Sequence, residues 1–150
     1  MVIGYGNPLR QDDGLGLRAA EILEASGIEV IRCSQLTPEL AAAIADSNLT
    51  IFLDAAADLE PGVVRCTEVT SEAASAWTHQ LTPGQLLSLA SMFGNTPRAV
   101  LIAGGPISMD FGEGLTAGGE ECARRMAAAA LRVIAGELQP SGVQPLGHYA

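Results

Sequence analysis

Short apolar runs alternate with stretches in which apolar residues recur every three to four positions. The short runs are rich in β-branched residues and predict strands. They are Val2–Tyr5, Ile28–Cys33, Thr50–Leu53, Val63–Val69 and Arg98–Ala103. The stretches with helical spacing predict helices. These helices cover Gly14 to about Ala25, Thr37 to about Ala45, Thr82 to about Met92, and Gly118–Ala135.

This alternation predicts an α/β fold, a three-layer sandwich with a mostly parallel twisted sheet of about five strands and helices on both faces. The run Val63–Val69 is the exception, because its connection to the preceding strand is too short for a helical crossover. We therefore expect it to be an antiparallel edge strand. The 150 residues are expected to form a single domain (1–150), with a loose C-terminal tail over about residues 140–150.

Two helix starts share the sequence Gln-Leu-Thr-Pro, once at Thr37-Pro38 and once at Thr82-Pro83. Threonine is a favourable N-cap residue, and proline is well suited to the first helical position. We interpret both copies as loop-to-helix entries that use the same capping chemistry.

Composition excludes several classes of function. The formal net charge is -9, and a chain this acidic is a poor candidate for binding nucleic acid, which relies on clustered basic residues. All basic residues apart from the histidines are arginines. The absence of lysine excludes a Schiff-base lysine and the phosphate-binding lysine of nucleotide-binding loops.

Three cysteines, Cys33, Cys66 and Cys122, lie far apart without CxxC spacing. This pattern argues against a disulfide framework and against a zinc knuckle. No signal peptide is recognised, and arginines interrupt the alanine-rich stretch near Ala127, so we expect no membrane span. A reducing cytoplasm is the expected compartment.

Glycines and acids are concentrated between the first predicted strand and the first predicted helix, at residues 3–16. A glycine-rich turn at this position usually holds phosphate. Here, however, Leu9 stands where a dinucleotide-binding motif needs its third glycine. Two adjacent acids, Asp12 and Asp13, would also face the pyrophosphate. The sequence therefore favours a cation or a proton-transfer site over a nucleotide.

Each candidate acid has a structural and a functional interpretation. One of Asp12 and Asp13 is expected to cap the first long helix, where a carboxylate accepts free backbone N–H groups. The other is then available for chemistry. Asp54 ends the apolar run Ile51–Leu53, at the end of a strand where ligands gather in α/β folds. An Asx turn is the structural alternative for Asp54.

The chain has two histidines, of which His148 lies in the predicted tail and His79 precedes a helix. With one useful imidazole, sites built from two or three histidines are excluded. Two carboxylates and one imidazole suit a borderline divalent ion such as Ni²⁺ or Zn²⁺. Serine catalysis has little support, because no G-x-S-x-G motif is present.

Four segments together resemble one enzyme family, the [NiFe]-hydrogenase maturation endopeptidases. The opening motif Gly4-x-Gly6-Asn7-x-x-x-x-Asp12-Asp13-Gly14-x-Gly16 carries most of the resemblance. It continues in the same order at Ile51–Ala55, His79–Leu81 and Gly112–Thr116. The repeated Gln-Leu-Thr-Pro elements look most similar to the branch that processes bidirectional, NAD(P)-linked hydrogenases.

The resemblance implies an endopeptidase that removes the C-terminal extension of a hydrogenase large-subunit precursor after nickel insertion. It implies metal contacts, and with them catalysis, at Asp13, Asp54 and His79. Asp12 is the less favoured ligand. The implied cofactor is a divalent metal, nickel above all, which the substrate itself could supply.

The resemblance also implies that the turn containing Gly4, Gly6 and Asn7 shapes the floor of the substrate cleft. The implied partner is the large-subunit precursor. The charge, composition and motif arguments above predict no nucleotide, nucleic acid or membrane partner, and we expect a monomer. Three chemistries stay open for the carboxylates: metal ligand, recognition of the substrate's nickel, or general base. The alternative functions are a non-hydrolytic nickel-site checkpoint or chaperone for the precursor, and a nucleotide-binding module.

Overall fold

The computed structural model describes residues 1–73 and 80–140. Within these ranges the strands are β1 (Val2–Tyr5), β2 (Val30–Cys33), β3 (Leu49–Ala55), β4 (Val64–Glu68) and β5 (Arg98–Gly104). They form one sheet in the order β2-β1-β3-β5-β4. β1 pairs in parallel with β2 and β3, and β3 pairs in parallel with β5. The predicted mostly parallel sheet of about five strands is confirmed.

The last strand in the order, β4, runs antiparallel to β5, with Val64 opposite Gly104 and Glu68 opposite Val100. β4 follows β3 after a connection of eight residues, 56–63, which is too short for a parallel crossover. The prediction of an antiparallel edge strand is therefore confirmed.

Helices cover both faces of the sheet. They are α1 (Leu15–Ala25), α2 (Ala41–Ala45), α3 (Pro83–Ser91) and α4 (Ala117–Ile134). α1 and α4 bury their apolar sides against one face, while α2 and α3 pack on the other. Short 3₁₀ turns precede α1, at Gln11–Gly14, and α2, at Pro38–Leu40.

Strand residues alternate between the two layers, as a sheet buried on both faces requires. In β3, Ile51 and Leu53 belong to the core beneath α1 and α4, whereas Phe52 belongs to the core beneath α2 and α3. The same alternation places Asp54, two residues after Phe52, on the α2 and α3 side. It places Tyr5, two residues after Ile3, on that side as well.

The two predicted helix entries differ. Thr82 forms a capping box with Gln85: its hydroxyl accepts from the Gln85 N–H at 3.1 Å, and the Gln85 side chain accepts from the Thr82 N–H at 3.0 Å. Thr37 makes no side-chain cap, and the chain there forms the 3₁₀ turn before α2 begins. The shared capping chemistry is therefore correct at Thr82 and wrong at Thr37.

Three further expectations concern the cysteines, membrane spans and the C-terminal tail. All three cysteines are free thiols, with Cys66 and Cys122 buried and Cys33 half-buried. No helix in the part of the chain that the structure describes is long and apolar enough to cross a membrane. The predicted tail falls mainly on residues 141–150, which lie outside the described residues.

Candidate functional site

Asp13 and Asp54 meet at one edge of the sheet. Asp13 lies in the 3₁₀ turn that follows β1, and Asp54 is the penultimate residue of β3. Because β1 and β3 are parallel neighbours, their carboxyl ends share this edge. A cavity of about 360 Å³ opens there, and both acids line it together with Tyr5 and Gly6. We call it the carboxylate cavity; residues 34–36 and 80–83 complete its walls.

The Asp54 carboxyl group is half-buried, and its pKa is shifted far from the ordinary value. Burial raises the pKa of Asp54 to about 7, and the charge of Asp13 contributes to the rise. Hydrogen bonds from the Ala55 N–H, at 2.7 Å, and from the Tyr5 hydroxyl oppose it. Near neutral pH the Asp54 carboxyl group is therefore present in both protonation states, as a proton-transfer group needs to be.

Tyr5 is a member of this site that the sequence did not single out. Its hydroxyl group donates to Asp54, and burial, followed by the Asp54 charge, raises the pKa of Tyr5 well above its ordinary value. The phenol thus stays protonated and acts as a donor. One signal in the sequence could have identified Tyr5. Side chains alternate along a strand, so Tyr5, at the end of β1, lies on the same face as Ile3.

Asp13 is held by the loop that leaves β1. Its Oδ2 atom accepts a hydrogen bond from the backbone N–H of Asn7 at 3.1 Å. The side chain of Asn7 in turn accepts from the Leu9 N–H at 2.9 Å. The loop is thereby folded back on the 3₁₀ turn, and the half-buried Asp13 side chain is oriented towards the carboxylate cavity.

The expectation that one of Asp12 and Asp13 caps the first long helix is wrong. α1 has Gly14 at its N-cap and no side-chain cap. Asp12 is instead fully buried and accepts four hydrogen bonds from a distant loop. The donors are Ile107 N–H (2.9 Å), Ser108 N–H (3.2 Å), Thr116 N–H (2.9 Å) and the Thr116 hydroxyl (2.7 Å). These bonds offset the cost of burying the charge.

The glycines predicted to shape the cleft have different positions. Gly6 lines the carboxylate cavity; its φ is +147°, and a Cβ there would overlap the carbonyl oxygen of Asp13. Gly4 is buried, and its Cβ would overlap Gly16 and Ala20 of α1. Gly4 therefore lets the helix pack closely on β1, whereas Gly6 lets the loop cross over the 3₁₀ turn. Asn7 is exposed.

His79 lies outside the described residues, as does His148. The next residue in sequence, Gln80, lines the carboxylate cavity. Among the residues that the structure describes, no three histidine, cysteine, aspartate or glutamate side chains cluster as a metal site. The described part of the site therefore offers two carboxylates, from Asp13 and Asp54, beside a tyrosine hydroxyl.

No protein-family model matches the chain, and no curated protein matches it. Solved structures do. The hydrogenase maturating endopeptidase HybD from E. coli superimposes with a TM-score of 0.71 at 24% identity, covering 90% of this chain and 92% of that one. The [NiFe] hydrogenase maturation protease HybD from Thermococcus kodakarensis gives 0.70 at 23%, covering 88% and 96%.

A third structure, the [NiFe] hydrogenase maturation protease HycI from Thermococcus kodakarensis, gives a TM-score of 0.69 at 24% identity and covers 89% of this chain and 90% of that one. The likeness extends over nearly the whole of each chain. At these identities it shows a shared fold: the mixed five-stranded sheet with helices on both faces is that of the HybD-like proteases.

Proposed function

We propose that this chain is an endopeptidase that removes the C-terminal extension of a [NiFe]-hydrogenase large-subunit precursor after nickel insertion. The observation that carries the proposal is the pairing of Asp13 and Asp54 across the carboxylate cavity, at the carboxyl edge of a HybD-like sheet. The resemblance of the opening motif to hydrogenase maturation endopeptidases supports it independently of the fold.

The site is suited to a divalent cation brought by the substrate. Burial, with a smaller contribution from the charge of Asp13, raises the pKa of Asp54, so the ionised form of Asp54 is disfavoured in this cavity. A divalent cation between them would remove that cost. We propose that the nickel of the precursor is this cation and that His79 provides an imidazole as third ligand. Carboxylates and an imidazole form a reasonable donor set for nickel.

In the nickel-free site Asp54 is the better candidate for proton transfer, because a pKa of about 7 lets it accept a proton from water near neutral pH. With nickel bound, Asp54 would be a ligand and its pKa would fall. Tyr5 orients its carboxylate through the hydroxyl hydrogen bond. Asp13, fixed by Asn7, provides the second carboxylate at a defined position. When nickel is present it supplies Lewis acidity towards the scissile carbonyl. The products are the mature subunit and a released C-terminal peptide.

A metal-independent version of the same reaction uses the two acids as an aspartic dyad that shares one proton. The two versions differ in what they require of the substrate. An aspartic dyad cleaves a nickel-free precursor, whereas nickel recognition restricts cleavage to the loaded precursor. We favour nickel recognition, because the motif resemblance includes a histidine that a dyad does not need.

The setting follows from the substrate. A protein substrate must cover the carboxylate cavity, so we propose that the protein acts as a monomer. We also propose that it acts in the cytoplasm, and that it needs neither nucleotide nor nucleic acid. The Gln-Leu-Thr-Pro elements favour a bidirectional, NAD(P)-linked hydrogenase as the source of that precursor.

The test is the intact mass of the precursor after incubation with the purified protein, with nickel-loaded and nickel-free precursor in parallel. We expect the loaded precursor alone to lose the mass of its C-terminal extension. Equal cleavage of both forms would contradict nickel recognition and support the aspartic dyad. A stable complex with uncleaved precursor would contradict the peptidase and support the checkpoint function.

A further inference from the structure

A second and larger cavity, of about 610 Å³, lies beside the carboxylate cavity. We call it the side cavity. Two residues line both cavities: Gly6, which directly follows β1, and Ser34, which directly follows β2. Because β1 and β2 are parallel neighbours, Gly6 and Ser34 end side by side at the same edge of the sheet. The two cavities are therefore adjacent along the carboxyl edge.

Part of the lining of the side cavity is apolar. Leu17 of α1 and Leu115, just before α4, contribute aliphatic side chains, and Pro8 contributes its ring. Gly14 adds little bulk, since a Cβ placed there would still lie 3.5 Å from the Pro8 backbone. A surface of this kind binds an apolar group by removing it from water.

The charged groups around the side cavity are already paired with one another. Arg18 contacts Glu120 at 3.1 Å and Glu21 at 3.1 Å, and Arg32 contacts Glu21 at 3.2 Å. An anionic ligand would have to compete with these carboxylates for both guanidinium groups. The charge balance of the lining therefore favours a neutral occupant over a phosphate or a carboxylate.

We infer that the side cavity is a specificity subsite for one apolar side chain of the precursor, close to the scissile bond. This inference rests on the proposed function. An extended chain advances about 3.4 Å per residue. A segment whose scissile bond lies between Asp13 and Asp54 therefore passes Gly6 and Ser34 within a few residues. The substrate side chain that lies beside Gly6 and Ser34 would then face Leu17 and Leu115.

The test narrows the side cavity and measures cleavage of the nickel-loaded precursor. Leu17→Trp fills the cavity from α1 and is expected to lower kcat/KM about tenfold, through KM rather than kcat. Leu131→Trp is the matched control, because Leu131 lies on α4, is 40% exposed and does not line the cavity. Unchanged KM for a folded Leu17→Trp variant would overturn the inference.

A second arm identifies the occupant. Alanine replaces each precursor residue on both sides of the cleavage point in turn. One apolar position is expected at which alanine raises KM about tenfold with the wild-type enzyme, yet has little further effect with Leu17→Trp. Additive effects at every position would overturn the inference even if Leu17→Trp were poorly folded, because a general folding defect does not single out one substrate position.

Failure of the proposed function gives a different result. If wild-type protein binds the precursor without cleaving it, the same variants are compared by calorimetric titration with intact precursor. Weaker binding by about tenfold for Leu17→Trp, but not for Leu131→Trp, would preserve the side cavity as a docking subsite. Equal affinities would reject it.

Discussion

The Asp12 carboxylate accepts hydrogen bonds from both the N–H and the hydroxyl of Thr116, at 2.9 Å and 2.7 Å, across 104 positions of sequence. Thr116 is also the N-cap of α4, where its hydroxyl oxygen accepts from the Gly119 N–H at 3.0 Å. One buried acid thereby joins the turn that carries Asp13 to the start of the last helix. Its neighbour Asp13 is free of that role and lines the carboxylate cavity.

This division between adjacent acids gives the first prediction. Asp12→Asn places an NH₂ group among donors, and so should lower the free energy of unfolding by about 3 kcal/mol or more. Asp13→Asn removes the same charge one residue away, where the carboxylate accepts one described bond, from Asn7. Its cost should be about 1 kcal/mol or less. Urea unfolding of both variants measures the difference, and similar losses would contradict the structural role assigned to Asp12.

The second prediction concerns pH. The pKa of Asp54 in the folded protein is raised to about 7 from 3.8, so the folded state binds more protons than the unfolded state between these values. The contribution of Asp54 to stability is therefore fully present below about pH 4, declines as pH rises from 4 to 7, and is lost above 7. The loss attributable to Asp54 is at most about 4 kcal/mol.

Asp54→Asn should remove this dependence and make the nickel-free protein more stable than wild type near pH 8, with little change near pH 4. The measurement is urea unfolding at several pH values, with the exposed Asp46→Asn as the control for loss of an acid. A wild-type protein that gains stability between pH 5 and pH 8 relative to Asp54→Asn would contradict the raised pKa.

Tyr5→Phe is the third prediction. The Tyr5 hydroxyl hydrogen bond lowers the pKa of Asp54 against the effect of burial, so its removal should raise that pKa above about 7. Carboxyl ¹³C chemical shifts of labelled aspartate, followed through a pH titration, report the change directly. An Asp54 titration that moves to lower pH in Tyr5→Phe would show that the hydroxyl group does not stabilise the carboxylate.

Two glycines of the opening motif provide the fourth prediction. A Cβ at Gly16 would overlap the Leu53 carbonyl group, because α1 rests directly on β3 at this point. Gly16→Ala should therefore cost at least about 3 kcal/mol of stability. Gly14→Ala adds the same methyl group at ordinary contact distance, 3.5 Å from Pro8, and should change stability by about 0.5 kcal/mol or less. Thermal unfolding compares the two; an equal cost would show that close packing does not explain Gly16.

The sequence predicted the elements well because apolar periodicity and short connections determine them. β1 was placed at Val2–Tyr5, where the structure has it, and β4 was recognised as an edge strand from the length of its connection. The role of Asp12 was not predictable in this way. Its partners at Ile107–Thr116 are about a hundred positions away, and local sequence favours a cap on the next helix.

The site shows the same limit. Asp54 was singled out by its position at a strand end and Asp13 by the motif resemblance, and the structure brings both to one cavity. The hydrogen bond from Tyr5 and the raised pKa of Asp54 depend on packing and burial, which periodicity does not specify. The assignment of Gly4 to the cleft came from the motif, whereas its position against Gly16 became visible only once α1 was placed on β1.

The most direct test is the intact mass of a nickel-loaded large-subunit precursor after incubation with wild type, Asp13→Asn, Asp54→Asn and His79→Ala. Asp58→Asn is the control, since Asp58 is exposed and pairs with Arg65 away from the carboxylate cavity. Wild type and Asp58→Asn should release the C-terminal extension. The other three variants should leave the precursor at full mass, although circular dichroism shows that they are folded. Normal release of the extension by all three would contradict the assignment of the site.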